Sequence, residues 1–187
     1  MSNQIVKTIF RNNMYYHLLP SKKFKTITIV VKIKAALERE TVTKRALLPF
    51  LLRQGTKSYP SEQQLMQKLD ELYGAKLHLD CSKKGTNHII HLQLDFANER
   101  FIEGEKMIVQ EALQLLQDII FSPLIENGSF RKDIVEAEKR KLTNKINALK
   151  DNKLLYANQR LIDHMYADEA FSLHKDGYIE DLPAIDE

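Results

Sequence analysis

The plainest pattern in the chain runs from Phe24 to Lys34, where Ile27, Ile29, Val31 and Ile33 alternate with Thr26, Thr28, Lys32 and Lys34. A period of two puts the first set on one side of an extended backbone, so the segment reads as a half-buried strand. A shorter strand over residues 4–10 and a second run from Met14 to Leu19 precede it, with Arg11-Asn12-Asn13 as the turn between them. Alternation returns in Leu77, Leu79 and Cys81 against Lys76, His78 and Asp80, and again in Ile90, Leu92, Leu94 and Phe96 against His91, Gln93 and Asp95. With Lys84-Gly85 between them, these two stretches predict an antiparallel hairpin.

Helical periodicity fills the gaps. Thr41 or Thr43 can cap a helix that runs to Gln54 and stops at Gly55, a residue suited to a left-handed backbone. Pro49 lies inside that helix, where it removes a hydrogen bond and should bend the axis. Ser61 and Gln64 form a capping-box pattern, followed by an apolar stripe of Leu65, Met66, Leu69, Leu72 and Tyr73 up to Gly74. After Asn98 the period is helical again, through Ile102, Met107, Ile108, Ala112, Leu115, Leu116, Ile119 and Ile120, until Ser122-Pro123. A long helix from about Ser129 turns Ile134, Val135, Leu142, Ile146 and Leu149 inward. Beyond Asp151-Asn152, a further helix from Lys153 to Tyr166 carries Leu154, Leu155, Ala157, Leu161, Ile162 and Met165, and residues 177–187 read as a loop. Strands first and again in a hairpin, with helices in blocks between, point to an α+β class: an antiparallel sheet with helices packed on one side.

Composition narrows the function. A chain of 187 residues, 43% hydrophobic and 28% charged, can bury one good core. With 28 basic and 25 acidic residues the net charge is +3, too small and too interspersed for a nucleic-acid protein. Lys83-Lys84 and Lys139-Arg140-Lys141 are short runs that a solvated face explains. No stretch of 18 apolar residues suggests a membrane span and no apolar block follows Met1, so a soluble cytoplasmic chain is expected. The lone Cys81 fits a reducing compartment and excludes both an internal disulfide and a cysteine metal cluster.

Candidate chemistry is sparse. His88 and His91 are three apart on a predicted strand and point to opposite faces, whereas His78 and His88 are candidate cross-strand neighbours in the hairpin. His164 and His174 read as structural or surface residues, and Cys81 as a small core residue. The six glycines are isolated, so no phosphate loop is present. Tyr15-Tyr16, Phe24 and the Tyr156–Tyr166 region are aromatic enough for an interface, although core packing is the commoner use of such residues.

The segment from Ala46 to Thr56, two apolar turns closing on Gly-Thr, leads through Tyr59-Pro60-Ser61 into the next helix. Together with Leu69-Asp-Glu-Leu-Tyr-Gly-Ala75, the hairpin and the two long helices after it, this order resembles the M16 zinc peptidases, the pitrilysin, insulinase and mitochondrial-processing-peptidase family. The resemblance implies an M16/LuxS-type metallohydrolase-like fold, with residues 1–187 as one N-terminal αβ domain of a longer, truncated chain. In that family the first helix carries His-x-x-Glu-His: two histidines four apart share a helix face and bind zinc, and the glutamate activates the bound water. Aligned on Gly55-Thr56, those positions hold Ala46, Pro49 and Phe50, and the remote glutamate ligand falls on Lys145, within Glu138 to Asp151.

The resemblance therefore implies a bacterial pseudoenzyme with no catalytic, cofactor or metal residues. Such members pair with an active zinc-peptidase homologue around a peptide or unfolded substrate, and one type is linked to modification of elongation factor P. Exposed edges of a fragment could also join two copies. The alternative is a zinc metalloendopeptidase with displaced ligands drawn from Glu136, Glu138, His78 and His88.

Overall fold

The computed structural model describes residues 6–104 and 107–186. The first element is a hairpin of β1 (Lys7–Arg11) and β2 (Met14–Leu18), closed by Asn12 and Asn13 with φ of 50° and 59°. Two successive left-handed residues match the right-handed twist of paired strands, and asparagine tolerates that conformation. The expected residues 4 and 5 of the first strand lie outside the described residues.

The main sheet has three strands, β3 (Thr26–Ala36), β4 (Lys76–Lys84) and β5 (Asn87–Ala97), in the order β3-β5-β4, all antiparallel. The register sets Ile29 opposite Leu94 and Leu94 opposite Leu77, and likewise joins Val31, Leu92 and Leu79. One face is thus continuously apolar. Three helices cover it: α1 (Val42–Leu52), α2 (Glu62–Glu71) and α3 (Ile108–Phe121), through a core that includes Leu52, Leu65, Leu69, Ile90, Leu92, Leu94, Ala112 and Leu115. Each leucine or isoleucine among them, fully withdrawn from water, contributes about 1.5–3 kcal/mol. Ser61 caps α2 by accepting the Gln64 N–H at 3.2 Å.

A second apolar cluster joins α1 to α4 (Lys132–Ala148) and to the end of the chain, uniting Ala46, Leu47, Leu51, Val135, Leu142, Leu182 and Ile185. The expected loop over 177–187 is therefore partly structured. Ile179–Ala184 forms a 3-10 helix because burying Leu182 and Ile185 orders it against α1 and α4. Other expectations shift for similar reasons. Asn98 caps a 3-10 turn at Glu99–Phe101, and α3 begins only at Ile108. Asn127 and Gly128 take left-handed turns before α4, which delays its start from Ser129 to Lys132.

The last helix, α5 (Lys153–Met165), has no buried residue; Leu154, Leu155, Leu161 and Met165 face solvent. Met66 and Tyr73, expected on the apolar stripe of α2, are exposed as well, and Tyr73 itself has φ of 60°. Among the described residues no helix is long and apolar enough to cross a membrane.

Candidate functional site

Helix α1 positions three of the four residues in question. Its N-cap Thr41 makes no side-chain cap bond. Thr43, the second residue of the helix, instead hydrogen-bonds the end of the chain: its hydroxyl donates to Asp181 and accepts the Tyr178 N–H at 3.0 Å. At the other end Gly55 takes φ of 144°, and a Cβ there would lie 2.6 Å from the Tyr59 carbonyl oxygen. Only glycine fits that close approach of backbone to backbone.

Pro49 sits inside α1 without interrupting it. A proline has no N–H to give the carbonyl four residues earlier, which here belongs to Arg45. The thiol of Cys81 on β4 donates to that carbonyl at 3.4 Å. The orphaned acceptor is thus partly satisfied from the sheet, and Cys81 is more than a small core residue.

Ala46 and Pro49 are buried, and Phe50 is half-buried against the second cluster. Lys145, from the last turns of α4, places its Nζ 5.6 Å from the centroid of the Phe50 ring. The same Nζ lies 2.8 Å from Asp80 Oδ1 on β4 and 2.8 Å from Asp176 Oδ1 in the final segment. Lys175 completes the group, 3.2 Å from Asp176 and 3.9 Å from Asp80. Burial works to lower the Lys145 pKa, but hydrogen bonds to Asp176 and Asp80 outweigh it and hold the amine above its ordinary value. Burial works to raise the Asp80 carboxyl, and its bonds to Lys145 and the Cys81 N–H together with the Lys175 charge pull it below the usual range.

A catalytic zinc ion needs three lone-pair donors and an open position. A methyl group, a pyrrolidine ring and a phenyl ring offer none, and a protonated amine has no lone pair to give. The residues at these four positions do not fit a metal. The family resemblance brought Phe50 and Lys145 into view; Asp80 and Asp176 were missed. Asp80 was visible only as one polar position of an alternating strand, and nothing local marks Asp176.

The displaced ligands do not converge. The register pairs His88 with Lys83 and His78 with Gln93, so the two histidines lie on opposite faces of the hairpin and are not cross-strand neighbours. His88 is fully buried, with Nε2 donating to the Lys175 carbonyl at 2.9 Å and Nδ1 unpartnered. Glu136 pairs with Lys139 at 2.7 Å and buried Glu138 with Lys141 at 2.7 Å, each along α4. Among the described residues no three His, Cys, Asp or Glu side chains are grouped to hold a metal ion.

No family model matches the chain. Over 169 residues, 90% of its length, it is 40% identical to the "Probable inactive metalloprotease YmfF" of Bacillus subtilis (strain 168), and covers 40% of that protein. A conserved protein from Enterococcus faecalis V583 superposes with a TM-score of 0.83 at 29% identity, over 90% of this chain and 40% of its own. The peptidase M16 inactive domain from Pseudomonas fluorescens superposes with a TM-score of 0.71 at 14% identity, over 97% of this chain and 41% of its own. The chain has an M16-type fold. This M16-type domain spans about two-fifths of the length of the relatives it matches. The likeness at 14% identity speaks for the fold alone; the 40% relative carries the description "inactive".

Proposed function

We propose that this M16-type domain belongs to a non-catalytic, cytoplasmic subunit. It would pair with an active zinc-peptidase homologue to enclose a peptide or unfolded segment. What supports this reading is that Ala46, Pro49, Phe50 and Lys145, which the family resemblance aligns with the donor positions, carry no zinc-binding set while the surrounding frame is folded. Loss at one position would be damage; coordinated loss within an intact fold leaves binding as the function to be kept. The length of the relatives supports a subunit in which further chain accompanies this N-terminal domain. The sheet supports peptide binding, since β3 is an edge strand of 11 residues and an extended peptide can add to such an edge. By the same resemblance, the pathway is one that modifies elongation factor P.

The test is peptide hydrolysis by the chain alone, by its intact homologue, and by the two together. The expected result is no zinc-dependent cleavage by the chain alone and a changed rate or substrate range for the mixture. Zinc-dependent turnover by the isolated chain would end this reading.

A further inference from the structure

The positions assigned to the metal are filled. We propose that the Lys145 ammonium takes over the structural part of the missing cation, tying α4, β4 and the final segment to one another so that this corner is ordered without metal.

A bound metal ion does two separable things: it activates water, and it cross-links ligands from elements that are far apart in sequence. The donor set here rules out the first. For the second, Lys145 Nζ makes 2.8 Å contacts with Asp80 of β4 and with Asp176 of the final segment, and α4 supplies the ammonium itself. On a further side lies the ring of Phe50, the residue at a lost histidine position, with its centroid 5.6 Å away. An ammonium over an aromatic face is attracted by the ring quadrupole, so replacing imidazole by phenyl keeps a partner suited to this cation and unsuited to zinc. A glutamate at 145 would have turned a third carboxylate toward Asp80 and Asp176; lysine reverses the sign and needs both.

The charges also balance. Lys175 bonds Asp176 at 3.2 Å, lies 3.9 Å from Asp80, and donates to the Cys81 carbonyl at 3.3 Å, so two ammonium groups alternate with two carboxylates. The four side chains are 24–59% exposed, so water screens each pair and the effect is local ordering rather than a large gain in global stability. The segment that carries Asp176 has other anchors: Lys83 Nζ donates to the carbonyls of Phe171 at 2.6 Å and Leu173 at 2.8 Å, and His88 donates to that of Lys175. Removing the ammonium should therefore loosen residues 174–178 without unfolding the domain. The inference concerns this chain's own order and is independent of whether it pairs with another subunit.

The test is amide hydrogen exchange on the purified chain and its variants K145M, K145R and D80N, each with and without EDTA. In K145M the amides of residues 174–178 are expected to exchange at least tenfold faster than in the unaltered chain. K145R, which keeps the charge, should stay within about threefold, and D80N should loosen the same amides if K145M proves too poorly folded to measure. EDTA should change nothing in the unaltered chain. Unchanged exchange at 174–178 in both K145M and D80N would overturn the proposal, as would loss of protection on chelation.

Discussion

Gly177 reports on how tightly the end of the chain is seated. It has φ of 74°, and a Cβ built there would stand 2.5 Å from the Cα of Thr43 and 2.8 Å from its Cβ. The Thr43 backbone belongs to α1 and cannot swing aside as a side-chain tip could. For Gly177→Ala, a left-handed non-glycine residue costs about 1–2 kcal/mol. Overpacking a filled site costs about 1–3 kcal/mol more, for a loss of about 3 kcal/mol in all. Gly85 is the control: it has φ of 55° in the β4–β5 turn, but nothing lies within 4 Å of its would-be Cβ. Gly85→Ala should then cost only the conformational part, about 1 kcal/mol. For a domain of this size each kcal/mol moves the melting temperature by about 3 °C, giving drops of about 9 °C and about 3 °C. Reversible urea unfolding of both variants, followed by circular dichroism, measures the difference directly. Equal losses would refute the reasoning, because they would mean that the final segment does not press on α1.

Burial, with Asp80 and Asp176 adding to it, pushes the Cys81 thiol up to about 12. A disulfide reagent at mildly alkaline pH should therefore leave the folded chain unlabelled and react only after denaturation; rapid labelling of the native chain would contradict this burial. His88 is held below its ordinary value, first by burial and then by Arg45 and Lys175, against the opposing Lys175 carbonyl bond and Asp176. Because the unfolded chain takes up this proton first, His88 contributes stability that is full above about pH 6.5 and is lost as pH falls through the folded value. H88Q should therefore flatten the fall of the urea midpoint on acidification below about pH 6.5, and an unchanged slope would remove His88 as the cause.

Much of the fold was legible because its signals are local. The two-residue period of β3, β4 and β5 named the residues of the buried face, Cys81 and Ile90 among them, and the register then set those two opposite each other. Gly55, Gly74 and Ser61 marked helix ends through backbone geometry and capping that depend on a few adjacent residues. The same logic failed where a local pattern had no partner to meet. Leu142 on α4 and Leu161 on α5 carry the same helical signal, yet one is fully buried and the other is 55% exposed. Leu182 and Ile185 carried no periodic signal at all and are buried, because α1 and α4 offer them a cleft.

The sequence by itself determined the element order and the apolar face of the sheet, while the donor positions at Ala46, Pro49, Phe50 and Lys145 were implied by the family resemblance alone. The first two are properties of side-chain chemistry and of spacing within one helix or strand. Only the tertiary structure decided what replaced the donors: that Asp80 and Asp176 close on Lys145, that Cys81 serves the carbonyl orphaned by Pro49, and that His78 and His88 part to opposite faces. Each of these joins residues far apart in the chain, and their distances are set by sheet register and helix packing, which no local pattern encodes.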